Sequence, residues 1–134
     1  HALKVAQGFD FVSNLPGGLD ARVEQGGSNF SGGQRQRLSI ARALVTGAKI
    51  LVFDDSFSVL DFKTDAQLRK ALTPETRDKA VLIIAQRIST VVDADQILVL
   101  EHGQLVGSGT HEELKETNAV YKEIIDSQMR GDEL

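Results

Sequence analysis

The sequence predicts an α/β fold in which a largely parallel sheet is flanked by helices. Two observations support this prediction. Short apolar runs of strand length alternate with longer segments in which apolar residues recur at helical spacing. Residues 50–53 and 80–85 are continuous apolar runs, which is typical of parallel strands that are buried on both faces.

The first part of the chain predicts helices and a loop that lead to the first strand. Apolar residues indicate two short helices, within residues 2–9 and 11–15, and Pro16 with the two glycines after it ends the second. Residues 20–30 are rich in Gly, Ser and Asn and predict a loop. A longer helix begins at Ser31 and ends at Gly47. Its predicted inward-facing residues are Leu38, Ile40, Ala41, Leu44 and Val45.

The second part predicts a helix over residues 63–72, with Pro74 beyond its end. A third strand over residues 97–100 turns at His102 and Gly103 into a hairpin. Thr110 with Glu113 forms a capping box that starts a helix at residue 111. A last helix covers residues 118–129, and its predicted inward-facing residues are Val120, Tyr121 and Ile124.

Length and composition limit the possible functions. The 134 residues make one domain at most, and the net charge of −4 comes from interspersed acids and bases, which does not favour nucleic-acid binding. The absence of cysteine excludes disulfides and Cys-ligated metals. No apolar run reaches the roughly 18 residues that a membrane span needs, so the chain is expected to be soluble as given. The first residue is not Met, which indicates an excised fragment.

Residues 31–34 form the first candidate site because they open the predicted long helix. A helix N-terminus offers free N–H groups and a partial positive charge, and glycines there let an anion approach the backbone closely. The hydroxyl of Ser31 can cap the helix or donate to a phosphate, and Gln34 can complete a capping box. An ordinary cap after a glycine-rich loop explains Ser31, Gly32, Gly33 and Gln34 equally well.

Asp54 and Asp55 form the second candidate site, directly after the first predicted strand. The carboxyl end of a parallel strand is where α/β proteins bind ligands. One carboxylate can hold Mg²⁺, directly or through water, and the next can orient or deprotonate an attacking water. A solvated strand end is the better explanation for an Asp-Asp pair taken alone.

Gln86 is the third candidate, because it follows the second strand and is expected near the same sheet edge. Its amide can hydrogen-bond but cannot exchange a proton usefully near neutral pH. A polar loop residue is again the simpler explanation in isolation. The other polar residues are interpreted as structural: Arg35, Arg37 and Arg42 as a solvated helix face, and His111 as a helix start.

Taken together, these segments resemble the nucleotide-binding domain of ABC transporters over nearly the whole chain. Residues 29–37, Asn-Phe-Ser-Gly-Gly-Gln-Arg-Gln-Arg, resemble the signature motif running into its helix, and residues 50–54 resemble the Walker B strand. Residues 58–61, Ser-Val-Leu-Asp, resemble the D-loop, and residues 85–90 stand where the family has its switch segment. Matches within residues 95–114 are typical of exporter-type domains. Each match is weak alone, but the ordered set is specific.

The resemblance implies the C-terminal portion of a P-loop NTPase domain. Residues 1–47 would belong to the helical subdomain with the signature motif, and residues 48–134 would carry Walker B, the D-loop, the switch region and the C-terminal helices. Such domains work as a head-to-tail pair, in which each ATP lies between the Walker motifs of one partner and the signature motif of the other. The implied nucleotide-binding residues are Ser31, Gly32, Gly33, Gln34, Asp54 (with Mg²⁺, through water) and Asp61, and the implied catalytic residues are Asp55 and Gln86.

Some family features are absent or altered in these 134 residues. No Gly-x-x-x-x-Gly-Lys-Ser/Thr sequence, the Walker A loop, occurs. We therefore expect the segment alone to bind ATP weakly or not at all, to expose apolar surface and to self-associate. Asp55 stands where Glu is usual, and its shorter side chain misplaces the carboxylate by about an ångström, which can cost about 100-fold in rate. Gln86 stands where His is usual and lacks the chemistry of the imidazole.

Both altered positions belong to the ATP site that the chain's own Walker motifs would form. The signature motif, which serves the partner's site, is intact apart from Phe30 in place of the common Leu. This combination resembles the degenerate half of a heterodimeric bacterial multidrug-type exporter. It predicts transmembrane helices upstream, a second nucleotide-binding domain as partner, a drug- or lipid-like small molecule as cargo, and a place on the cytoplasmic face of the cell membrane.

Two other functions stay open. One is a non-transport ABC ATPase, against which the exporter-type ending at residues 107–113 and the acidic charge balance argue. The other is a non-hydrolysing dimerisation or regulatory subunit, which Asp55 and Gln86 favour. Nucleotide hydrolysis by the complete protein, alone and with its partner, separates the regulatory function from the exporter.

Overall fold

The structure of the chain is a computed structural model that describes residues 1–131. It contains two compact units, His1–Ile84 and Ala85–Leu134. The first unit consists of α1 (Ala2–Val5), α2 (Phe9–Ser13), α3 (Gly32–Val45), β1 (Ile50–Asp54), α4 (Phe62–Thr76) and β2 (Ala80–Ile84). The predicted loop between α2 and α3 contains two short 3₁₀ turns, Gly18–Asp20 and Gln25–Gly27.

The long helix α3 begins and ends where the sequence predicts. Ser31 caps its first turn, and Gly47, with a φ of +65°, follows its last turn. The burial of Ile40 and Ala41 agrees with the prediction, but Val45, also predicted to face inward, is 76% exposed. The reason is that α1 packs against α3 on the side of Ile40, Ala41 and Leu44, which turns Val45 away from the core.

Strands β1 and β2 pair in parallel, with Leu51 opposite Val81 and Phe53 opposite Ile83. Leu51 and Phe53 are buried in a core that also takes side chains from α1, α3 and α4. Burying one such side chain contributes about 1.5–3 kcal/mol. The other members of this core are Val5, Ala6, Ile40, Ala41, Phe57, Leu60, Leu68 and Leu72.

The prediction that both strands are buried on both faces is wrong. On the face opposite the core, Ile50, Val52, Leu82 and Ile84 are 66%, 57%, 51% and 48% exposed. Successive strand residues point to opposite faces, and helices of this unit cover only one of them. The expected exposed apolar surface is thereby confirmed, and these four side chains are called the outer apolar face below.

Helix α4 continues past its predicted end at residue 72, and Pro74 lies inside its last turn. Proline removes one backbone donor from a helix. The hydroxyls of Thr73 and Thr76 donate to the carbonyls of Arg69 and Leu72 at 3.0 Å in both cases. These bonds lie in the last turn of the helix, which the sequence rule for proline excludes.

The second unit consists of α5 (Ile88–Val91), β3 (Ile97–Glu101), β4 (Gln104–Gly109), α6 (His111–Thr117) and α7 (Ala119–Gly131). The predicted hairpin is confirmed as the antiparallel pair β3–β4, and the Thr110–Glu113 capping box is present at α6. Helix α5 was not predicted. The core of this unit is Ile97, Val99, Leu114 and Tyr121, with Val120 and Ile125 packed against it.

Within residues 1–131, no helix combines the length and the apolar character that crossing a bilayer requires. The division of the chain into residues 1–47 and 48–134 concerns subdomains and stays a prediction.

Candidate functional site

The segment Ser31–Gln34 has the geometry of a complete capping box. Ser31 is extended, with φ −65° and ψ 163°, and its hydroxyl oxygen accepts from the backbone N–H of Gln34 at 3.2 Å. The side-chain oxygen of Gln34 accepts from the backbone N–H of Ser31 at 2.9 Å. These bonds leave the hydroxyl hydrogen of Ser31 and the side-chain NH₂ of Gln34 as donors that the cap itself does not use.

Gly32 and Gly33 complete the first turn, and their N–H groups have no partner within the helix. A Cβ added at Gly32 would meet nothing within 4 Å, and one at Gly33 would lie 3.7 Å from both Leu60 Cδ2 and Val59 O, an ordinary contact distance. Neither glycine is required by the packing of this chain. The space at Gly32 would admit an anion close to the backbone, and the exposed helix start offers donors and a partial charge of about +0.5 to such an anion.

Asn29 fixes the backbone just before this helix start. Its side-chain NH₂ donates to the carbonyl of Arg22 at 2.9 Å, and its Oδ1 accepts from the N–H of Glu24 at 3.1 Å. One amide thus ties the loop at residues 22–24 to the segment that leads into Ser31. The sequence alone does not indicate this role, because an Asn in a Gly- and Ser-rich loop gives no indication of its partner.

Two arginines that were interpreted as a solvated face are also structural ties. Arg35 donates to the carbonyl of Phe30 at 2.9 Å, and its side chain passes over Gly27. A Cβ at residue 27 would lie 3.1 Å from Arg35 Cδ, and the φ of +66° also favours glycine there. Arg37 donates to the carbonyl of Gln7 at 2.7 Å and to that of Gly33 at 3.3 Å. Arg35 is exposed, as predicted for a solvated helix face, whereas Arg37 is half-buried, so the prediction is wrong for Arg37.

Arg37 also stacks on an aromatic pair. Its guanidinium lies 4.8 Å from the centroid of the Phe11 ring, and Phe11 contacts Phe30 edge-on at 6.3 Å. Phe30 is buried. The α1–α2 region is thereby connected to both sides of Ser31, through Gly33 and through Phe30.

Asp54 and Asp55 lie at the carboxyl end of β1, as predicted, and both are exposed. Asp55 has a φ of +49°, a left-handed conformation that Asp tolerates better than most residues. Its N–H donates to the carbonyl of Ile84 at 2.9 Å, and its carbonyl accepts from the Ser58 hydroxyl at 3.1 Å. The backbone of this turn is thus held on both sides, while the two carboxylates point away from the core into solvent-accessible space.

An exposed carboxylate at a strand end fits a Mg²⁺ ion, because hard oxygen donors are the ligands this ion prefers. Residues 1–131 contain no group of three or more His, Asp or Glu side chains placed to hold a metal by themselves. A contact of Asp54 with Mg²⁺, through water, stays a prediction.

Asp61 caps α4. Its Oδ1 accepts from the N–H of Thr64 at 2.9 Å, and its Oδ2 accepts from the Thr64 hydroxyl at 2.7 Å. These hydrogen bonds lower the pKa of the Asp61 carboxyl, which keeps the carboxylate ionised at neutral pH. The structure thus gives Asp61 a local role, and its contact with a nucleotide stays a prediction.

Gln86 lies in the second unit, where its side chain is exposed. Its carbonyl accepts from the side-chain Nε2 of Gln128 at 2.6 Å, and Oε1 of Gln128 accepts from the N–H of Ile88 at 2.9 Å. No motif in the sequence indicates this role of Gln128. The first unit brings Asp54 and Asp55 together, and their convergence with Gln86 stays a prediction.

The protein-family model described as ABC transporter matches residues 6–58 of the chain. An ABC transporter ATP-binding protein of Mycobacterium tuberculosis is 48% identical over 127 residues, 95% of this chain and 22% of the relative. An ATP-dependent lipid A-core flippase of Mannheimia succiniciproducens is 42% identical over 130 residues, 97% of this chain and 22% of the relative. The chain thus spans about a fifth of the length of these relatives.

A solved structure of a bacterial Atm1-family ABC exporter with ATP bound superimposes with a TM-score of 0.89. It is 37% identical, and the match covers 95% of this chain and 22% of that one.

Proposed function

This chain belongs to the ABC transporter family as a segment of an exporter-type nucleotide-binding domain, and we propose that it comes from the catalytically degenerate subunit of a heterodimeric exporter. In this proposal the full-length protein binds ATP with Mg²⁺ and pairs head-to-tail with a second nucleotide-binding domain. It lends its signature motif to the ATP site of that partner. The proposal rests on the open, exposed start of α3 combined with the two altered catalytic positions.

The start of α3 is suited to bind a phosphate held by another chain. The hydroxyl of Ser31 and the side-chain NH₂ of Gln34 would donate to phosphate oxygens, since the capping box orients both without using these hydrogens. The N–H groups of Gly32 and Gly33 add two further donors at the positive end of the helix. The space at Gly32 supports this role because no part of the chain itself fills it.

The chain's own ATP site would retain nucleotide rather than turn it over quickly. Asp54 would hold Mg²⁺ through water, and Asp61 would lie at the edge of the site. Asp55 would orient water less well than the usual Glu, because its side chain is one methylene shorter. Gln86 would hydrogen-bond to a phosphate oxygen but could not take part in proton transfer near neutral pH.

The proposal predicts different effects on ATP turnover for Gly32, which would serve the partner's site, and for Asp55, which would serve the chain's own site. We expect Gly32→Asp to lower ATPase activity of the full heterodimer by about 100-fold or more, because a carboxylate there repels the phosphate and blocks the donors. Asp55→Asn should change turnover little. The space around Gly32 means that the substituted chain still folds, which circular dichroism would check.

Ser39→Asp serves as the matched control, since it adds the same charge to an exposed position of α3. A large loss with Asp55→Asn and a small one with Gly32→Asp would overturn the degenerate assignment.

The cargo is proposed to be a drug- or lipid-like molecule, and the names of the lipid A-core flippase relatives support a lipid. Transmembrane helices upstream in the same polypeptide would place the domain at the cytoplasmic face of the cell membrane. Transport of a fluorescent lipid in vesicles that contain the full protein and its partner tests this part.

Asp55 and Gln86 also favour a second candidate, a subunit that binds nucleotide and dimerises without hydrolysis of its own. Mixing the full-length subunit with a hydrolysis-deficient partner distinguishes the two. Residual slow hydrolysis supports a degenerate site, and complete loss supports the regulatory subunit.

A further inference from the structure

Gln128 on α7 contacts the switch segment through both ends of its amide. Its Nε2 donates to the carbonyl of Gln86 at 2.6 Å, and its Oε1 accepts from the N–H of Ile88 at 2.9 Å. The two backbone groups lie on either side of Arg87. A single side chain therefore fixes the backbone on both sides of the point where α5 begins.

Helix α5 needs such support from outside. It has only four residues, Ile88–Val91, and its N-cap residue Arg87 makes no side-chain capping bond. An isolated helix of this length is unstable, and the N–H of its first residue has no partner within the helix. Gln128 supplies that partner from 40 residues further along the chain.

Helix α7, which carries Gln128, is packed into the core of the second unit through Tyr121. Seven residues before Gln128, about two helical turns, Tyr121 is 2% exposed in the core of the unit, and its hydroxyl lies 2.9 Å from Nδ1 of His111. The helix also packs against α5 and β3. The amide of Gln128 is therefore carried by a helix that Tyr121 anchors in the core, whereas the switch segment that it binds has exposed residues, Gln86 among them.

We propose that Gln128 is a positioning residue for the switch segment, which sets where the Gln86 side chain is presented to ATP in the chain's own site. This inference rests on the proposed nucleotide role of Gln86. Through the two hydrogen bonds, the backbone of residue 86 follows α7, so a displacement of this C-terminal helix would alter nucleotide retention at the site.

The test measures how fast labelled ATP dissociates from this subunit in the full-length transporter with its partner. Gln128→Met keeps the length of the side chain but removes both of its hydrogen bonds to the switch segment. Gln86 would then be misplaced and lose about one hydrogen bond to the nucleotide, so we expect ATP release to accelerate on the order of fivefold. Gln86→Ala should accelerate release as well. Adding Gln128→Met to Gln86→Ala should have no further effect, because Gln128 acts only through Gln86.

Gln128→Glu separates positioning from simple helix capping. Its carboxylate still accepts from the N–H of Ile88, but it cannot donate to the carbonyl of Gln86 and repels that oxygen. Positioning predicts that Glu behaves like Met, whereas capping of α5 alone predicts that Glu behaves like the unchanged protein. Gln104→Met, at an exposed hairpin position, is the matched control.

The outcomes distinguish the nucleotide role of Gln86 from the positioning role of Gln128. If Gln86→Ala leaves ATP release unchanged, the proposed role of Gln86 is refuted, and the positioning role with it. If Gln86→Ala accelerates release while Gln128→Met does not, or if the two effects multiply in the double variant, only the positioning role is overturned. Protection of the Ile88 amide from hydrogen exchange, lost in Gln128→Met, would show that the contact exists in solution.

Discussion

At the scale of single residues, Tyr121 shows how burial sets chemistry. It is the only tyrosine of the chain, it is 2% exposed, and its ring contacts that of His111 edge-on at 5.8 Å. Burial raises the pKa of its hydroxyl, because the phenolate would be poorly solvated. The periodicity of α7 placed Tyr121 inward but gave no partner for its hydroxyl.

The raised pKa predicts a loss of stability in alkali. A phenol whose folded-state pKa exceeds the unfolded value of about 10 contributes stability that is complete below that pH and is lost as the pH rises through the folded pKa. Ultraviolet absorbance of the phenolate reports this residue alone, since the chain has one Tyr and no Trp. We expect the native chain to titrate above the value measured in urea.

Tyr121→Phe provides the comparison. It should cost about 1 kcal/mol in the free energy of unfolding at neutral pH, for the lost hydrogen bond to His111. It should also reduce the decline of stability between neutral pH and strong alkali, measured by urea unfolding. An identical decline in both proteins would contradict the assignment.

At the scale of elements, the start of α3 depends on side chains outside the helix. Asn29 ties residues 22–24 to the segment before Ser31, and Arg37 joins Gly33 to the carbonyl of Gln7. A capping box can be read from the sequence, because its two residues are three positions apart. These other ties span 5 to 30 residues and depend on how the loop folds back.

Asn29→Ala removes both hydrogen bonds to the loop at residues 22–24. We expect α3 to remain formed and the free energy of unfolding to fall by about 1–2 kcal/mol, a typical value for two partly exposed hydrogen bonds. The N–H of Glu24 should lose protection from hydrogen exchange, because it donates to Asn29 Oδ1.

Asn29→Asp should have an intermediate effect, since it keeps the acceptor for Glu24 but loses the donor to Arg22. Asn14→Ala is the control, at an exposed position after α2. Equal exchange of the Glu24 amide in Asn29→Ala and in the unchanged chain would show that the tie is absent in solution.

At the scale of the whole molecule, the outer apolar face predicts how the 134-residue chain behaves by itself. Four large apolar side chains on one side of β1 and β2 are about half exposed or more. Monomeric proteins rarely leave such contiguous patches uncovered, because water contact with them costs about 25 cal/mol per Å². We therefore expect the isolated chain to self-associate through this face.

Light scattering coupled to size exclusion tests this prediction. The double variant Val52→Lys with Leu82→Glu should shift the isolated chain towards the mass of a single copy. Val23→Glu changes an apolar residue that is 64% exposed outside this face, and it should leave the association unchanged. Equal masses for the double variant and the unchanged chain would show that another surface is responsible.

Local signals in the sequence determined most of the helices, strands and turns of this protein. Elements that depend on residues close together in the chain were predicted. These are the helix that begins at Ser31, the strand that ends at Asp54, the β3–β4 hairpin and the capping box at Thr110. The order of motifs also indicated the family. The extension of α4 through Pro74 was missed, because the local rule for proline ends the helix before that residue.

Tertiary structure alone decided which faces and which long-range partners these elements have. Residues 50–53 are apolar throughout, so their sequence cannot tell that the side of Val52 remains exposed while that of Leu51 is buried. The ties made by Asn29, Arg37 and Gln128 join a side chain to backbone groups, and every residue carries such groups. Because the partner's identity leaves no trace in the sequence, only the folded chain shows which carbonyl or N–H each side chain binds.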